Sequence, residues 1–211
     1  MAAVSTLSFF NFFLRGLSIG FSIAAPVGPI GLLCIRRSLA DGLLVGLFTG
    51  LGAATADAVY GGIAGFGLTA VSSVLVAYRV WLALLGGLFL CYLGIRTFVS
   101  APAKHGALSQ RSGFASAYAS TFLLTLTNPM TILSFVAIFA GLGLASGAYY
   151  RGATMLVAGV FAGSAVWWLT LSSGSALLRT RLSGGWMRLV NHLSGAMILA
   201  FGIYAIATAF R

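Results

Sequence analysis

The chain has 211 residues, of which 60% are hydrophobic and 7% charged, far below the roughly 25% charged residues of a soluble domain. Its net charge of +10 comes from twelve basic residues set singly or in pairs between apolar runs. Nucleic-acid binding needs such residues gathered on one water-exposed face. A soluble globular domain and a nucleic-acid-binding module are both excluded, and the expected solvent and first partner is the lipid bilayer.

In chain order the apolar stretches are Phe9 to Ile35, Leu43 to Ala70, Val80 to Val99, Phe114 to Leu144, Gly152 to Leu177 and Met187 to Phe210. Each can cross about 30 Å of hydrocarbon, which predicts an all-α integral membrane protein of six transmembrane helices. Arg15 interrupts the first stretch and no basic region precedes it, so a cleaved signal peptide is not expected. The breaks carry Arg36, Arg37 and Asp41; Ser72, Ser73 and Arg79; Pro102 to Ser112; Gly147 to Arg151; and Arg179 to Gly185. Only the third break reads as a linker. Cys34 and Cys91 lie in or at the end of spans and do not read as a disulfide framework.

Segments on either side of that linker match each other. Gly28-Pro29 corresponds to Asn128-Pro129, Asp57-Ala58-Val59-Tyr60 to Ser164-Ala165-Val166-Trp167, and Gly87 with Gly94-Ile95 to Gly195 with Gly202-Ile203. The offsets, 100, 107 and 108, barely drift. The expected organisation is a single domain over residues 1–211, with repeat one at 1–100, a linker at 101–112 and repeat two at 113–211. Three crossings are an odd number, so the second copy enters from the opposite side, giving inverted repeats with broken first and fourth helices. Eight of the basic residues fall at the loops after the first, third and fifth spans and four on the other side, which favours external termini.

Pro26 and Pro29 each remove a backbone donor inside the first span, with Gly28 loosening the turn between them, and free the carbonyls of Ser22 and Ala25. Asn128-Pro129 repeats the device in the fourth span and frees the carbonyl of Thr125. Freed backbone groups at membrane depth are tolerated where they face protein or a water-filled cavity. A half-helix starting at Pro29 or Pro129 offers amide donors and a partial positive charge to a carboxylate, while the freed carbonyls suit an ammonium group. A zwitterionic amino acid fits both.

Asp57 is one of two acids in the chain and sits in mid-span, where its charge costs about 2.5 to 3.5 kcal/mol or more. The role expected for it is to carry a proton or the ammonium group of a substrate; the bland alternative is a packing hydrogen bond to Thr55 or a neighbouring helix. Asp41 is expected to pair near Arg36 and Arg37. His192 and Asn191 read as satisfied polar residues, and the aromatic Tyr60, Tyr92, Trp167 and Trp168 as anchors or packing. No His-Glu-x-x-His, Gly-x-Ser-x-Gly or phosphate-loop motif occurs, so no enzyme, cofactor or metal centre is expected. Cys34 has Ser134 and Cys91 has Leu199 as repeat counterparts, so a symmetrical thiol relay is excluded.

Pro26-Val27-Gly28-Pro29 followed by Arg36, the segment Gly50 to Asp57, Leu85-Gly86-Gly87 with Leu93-Gly94, and Thr127-Asn128-Pro129 resemble the LysE family of amino acid exporters, including the threonine and homoserine exporters of the RhtB group. The chain departs where many members have Pro-Gly-Pro at the first break and a Lys after the second, here Met130. The resemblance implies a multi-pass carrier of the bacterial inner membrane, dimeric, exporting amino acids at the expense of the proton gradient. The substrate-binding residues expected on both grounds are Pro26, Gly28, Pro29, Asp57, Asn128 and Pro129. The alternative is a carrier of another small solute or a metal cation on the same scaffold, although a metal carrier calls for clustered carboxylate, His or Cys ligands.

Overall fold

The structure is a computed structural model that describes residues 2–66, 69–100, 110–128, 130–135, 150–179 and 184–209. Its elements are α1 (Ala2–Ala24), α2 (Pro29–Asp41), α3 (Leu43–Gly65), α4 (Thr69–Ala77), α5 (Arg79–Phe98), α6 (Gln110–Leu126), a helical segment α7 (130–135), α8 (Tyr150–Arg179) and α9 (Gly184–Thr208). Among the described residues there is no strand. α3, α5, α8 and α9 are each long and apolar enough to cross a membrane, and α1 with α2, bent by 82° at its break, is a candidate for a fifth span. The expected fourth span is described only as α6 and α7. Pro129, the linker residues 101–109 and the end of that span at 136–144 lie outside the described residues.

The helix starts and stops follow from a few residues. Proline at the first position of α2 has no amide to leave unpaired and its φ suits a helix. Gly42 ends α2 and begins α3 by itself, with φ of 102°, a conformation that only glycine adopts without strain, and its amide donates to the Arg37 carbonyl at 3.2 Å. Two expected breaks therefore shift. Arg36 and Arg37 lie inside α2 rather than in a loop, because the helix continues to the first residue that permits a sharp turn. Ser72 and Ser73 lie inside α4, and the chain turns at Tyr78. Hydroxyl side chains remain compatible with a helix when they bond the preceding turn, as Ser18, Thr49, Thr55 and Thr170 do here.

α3 is the centre of the bundle, packed against α6 on one side, α8 on another and α2 on a third. α1 lies along α8, and α5 pairs with α9. Helices in lipid gain by close backbone approach, which small residues allow. A Cβ on Gly163 would meet the Leu17 carbonyl oxygen at 2.0 Å, and one on Gly52 would meet that of Tyr118 at 2.3 Å. In the α5–α9 pair, Gly87 lies against Gly202 and Gly94 against Gly195. A Cβ on Gly195 would stand 2.5 Å from the Phe98 amide nitrogen, a backbone atom that cannot swing aside. Gly195→Ala is expected to lower the thermal unfolding midpoint in detergent, at an overpacking cost of about 1–3 kcal/mol. Gly174→Ala, where a Cβ has nothing within 4 Å, is the control and should leave the midpoint in place.

Candidate functional site

At the first break α1 closes with the Ala25 amide donating to the Phe21 carbonyl at 2.9 Å, and the chain runs extended through Gly28 before α2 begins. No side chain caps the start of α2. Leu32 donates to the Gly28 carbonyl at 3.0 Å, and a Cβ on Gly28 would meet nothing within 4 Å, so space is open beside the uncapped amides. Pro26 is exposed, while Gly28 and Pro29 are half-buried.

The second break differs in detail. Asn128 is half-buried and its Oδ1 accepts from the Met130 amide at 3.1 Å, capping the segment that follows. Ile132 donates to the Asn128 carbonyl at 3.2 Å, the counterpart of the Leu32 bond 100 positions earlier. The Thr125 carbonyl, expected to be freed, accepts from the Asn128 amide at 3.2 Å because the chain tightens into a turn. The Leu126 carbonyl is instead taken by the Tyr60 hydroxyl.

Between the two breaks lies Asp57, 3% exposed. Ser164 Oγ donates to Asp57 Oδ2 at 2.7 Å, and Trp168 Nε1 donates to Ser164 Oγ at 3.0 Å. Among the described residues nothing donates to Oδ1. Thr55 does not serve Asp57, since its hydroxyl bonds the Leu51 carbonyl. Trp168 packs with Ala24, Ile30, Ala53 and Ala54, which ties this chain of bonds to the first break. Tyr60 packs with Ile132, Phe135 and Leu126, which ties it to the second. The first break is thus tied to α3 through Ile30 and Trp168 and the second through Ile132 and Tyr60, with Asp57 on α3 between these contacts and Pro26 exposed.

Tyr60 and Trp168, expected as anchors or packing, do pack in the core, and each, one helical turn from Asp57 and Ser164 respectively, also makes a hydrogen bond that the sequence does not announce. Trp167, the repeat counterpart of Tyr60, has its ring edge-on to Phe21 at 5.4 Å between centroids, and its Nε1 is buried without a hydrogen-bond partner among the described residues. By contrast, Asn191 joins helices: it accepts from Arg36 Nε and donates to the Ser100 carbonyl, both at 3.2 Å, and the His192 ring packs edge-on to Phe98. Arg36 also lies 3.8 Å from Asp41.

The geometry is that of a small polar site between broken helices. The sequence matches the LysE type translocator family over residues 21–208. A Bacillus subtilis (strain 168) protein named "Putative amino acid efflux protein YcgF" is 30% identical over 200 residues, covering 92% of this chain and 94% of that one. An Aeromonas salmonicida protein named "Putative amino-acid transporter YggA" is 31% identical over 181 residues, covering 82% and 84%. The "Uncharacterized membrane protein YahN" of Escherichia coli (strain K12) is 28% identical over 177 residues, covering 82% and 78%. No solved structure gives a significant match. The chain belongs to the LysE family of translocators, and is a multi-pass membrane transporter rather than an enzyme.

Proposed function

We propose that the protein is a secondary active exporter of amino acids or close derivatives, driven by proton re-entry, that alternates access between two inverted three-helix repeats, 1–100 and 113–211, joined by the linker 101–112. Two such protomers form the working unit in this reading. The observation that carries it is the buried Asp57, bonded to its own repeat counterpart Ser164 between two helix breaks. An intramembrane acid marks a substrate, ion or proton path, and a helix start with free amides beside it receives a carboxylate. Asp57 Oδ1 is left for an ammonium group or a proton, with Gly28, Pro29, Asn128 and Pro129 at the carboxylate end and Pro26 holding the first break open.

The contacts support the repeats, because they survive exchange of the halves. The pair α1 with α8 becomes α6 with α3, and both pairs pack closely. Gly87 against Gly202 becomes Gly195 against Gly94, and both meet. Relatives named for amino acid efflux and transport support the cargo.

The test is excretion. Cells expressing the protein and loaded with amino acids, dipeptides or analogues are expected to release an α-amino acid faster than vector controls, and to stop when the proton gradient is collapsed. Release of some other solute or a metal cation, with no amino acid moving, would replace this reading by the alternative carrier.

A further inference from the structure

α2 carries a second charged group that the proposed site does not use. Arg37 is 9% exposed and stands between α3 and α6. Its Nη1 donates to Thr49 Oγ1 at 3.2 Å, to the Ala117 carbonyl at 3.1 Å and to Thr121 Oγ1 at 3.2 Å, and its Nη2 donates to Ser120 Oγ at 2.9 Å. Every one of these acceptors is neutral. The three hydroxyls also spend their own hydrogens on helix carbonyls, Thr49 on Val45, and Ser120 and Thr121 on Ala117, so their lone pairs are what the guanidinium meets.

Asp41 acts on Arg37 through space, but among the described residues no carboxylate bonds its guanidinium. The sequence has two acids: Asp57 is bonded to Ser164, and Asp41 lies beside Arg36. A buried cation is costly unless paired, and neutral bonds compensate it only in part. The bonds use Nη1 and one hydrogen of Nη2, and among the described residues nothing bonds Nε. Nε–H and one Nη2–H thus carry no bond among the described residues, and the Nε–Nη2 edge of a guanidinium is one that fits the two oxygens of a carboxylate.

We infer that Arg37 is a second binding station that takes the carboxylate of the transported amino acid, a reading that rests on the proposed export function. Thr49 precedes Asp57 by eight residues, which is about 12 Å along α3. That is several times the separation of the two charges of an α-amino acid, so one molecule does not engage both residues at once. The hydroxyl and carbonyl acceptors hold the guanidinium in place, and the free edge recognises cargo before or after it reaches Asp57.

The experiment is thermal stabilisation of the purified protein by each of the twenty standard amino acids, repeated with the α-carboxamide of those that stabilise. Wild-type protein is expected to prefer acid over amide by about tenfold or more, the size of effect one charge-assisted hydrogen bond supplies. Arg37→Gln should lower the preference severalfold, leaving what the helix starts at the two breaks contribute, and Arg37→Lys, which keeps the charge without the fork, should lower it less. Gly195→Ala, far from the guanidinium in the α5–α9 seam, should lower the melting point of the empty protein while keeping the preference. An unchanged preference in folded Arg37→Gln and Arg37→Lys protein, equal loss for acid and amide, or no stabilisation by any amino acid overturns the station. Should cells still export an amino acid in that case, the station alone has failed; if they export none, the proposed function fails with it.

Discussion

Asp57→Asn protein in reconstituted vesicles is expected to lose uphill transport, with accumulation driven by an imposed proton gradient falling by about hundredfold. The scale follows from the cost of about 3 kcal/mol for an acid in mid-span, which corresponds to two factors of ten in an equilibrium. Asparagine keeps the size of the side chain and an oxygen for the Ser164 hydroxyl, so the α3–α8 contact should survive and the protein should insert normally. What disappears is a group that can exchange a proton for an ammonium. The bilayer penalises the bare carboxylate, while either a proton or a bound ammonium relieves that penalty, so the two compete for one site. If Asp57 only carries protons, substrate affinity stays and coupling is lost; if it also holds the ammonium group, affinity falls as well. Uphill transport with unchanged proton dependence would make Asp57 a structural residue.

The second large effect is expected at the first break. Pro29→Ala restores an amide donor at the start of α2, which can bond the Ala25 carbonyl and tighten a break now bent by 82° although Pro26 remains. Export should fall at least about tenfold, as for a misplaced binding geometry, while the amount of protein in the membrane stays the same. Pro129→Ala is expected to do likewise in the second half. Normal export rates in both variants would reduce the breaks to packing kinks.

Much of the fold was legible because lipid imposes long apolar runs, and α3, α5, α8 and α9 start and stop close to where hydrophobicity changes. The finer boundaries were not. Charge marked Arg36 and Arg37 as loop residues, but a helix ends where a backbone permits it, and here that is Gly42. The mid-span position of Asp57 was legible from its apolar neighbours, but its bond to Ser164 was not, since the repeat offsets match the two residues without bringing them together. The fate of the Thr125 carbonyl was hidden, since a missing donor on one residue does not say which other donor will turn towards the vacancy. Arg37 was hidden for a related reason: its partners are hydroxyls on α3 and α6, more than 80 positions away for Ser120, and no local pattern announces them.

The crossing of α5 with α9 has a consequence for ancestry. Gly87 meets Gly202 and Gly94 meets Gly195, so each helix presents two glycines seven residues apart to an antiparallel partner that does the same. A patch that receives its own equivalent is the form of an isologous contact in a two-fold dimer. A single three-helix polypeptide carrying such a helix, and inserting into the membrane in both orientations, would already close this seam with a second copy of itself. Fusion of two genes would then fix the stoichiometry and free each copy to diverge.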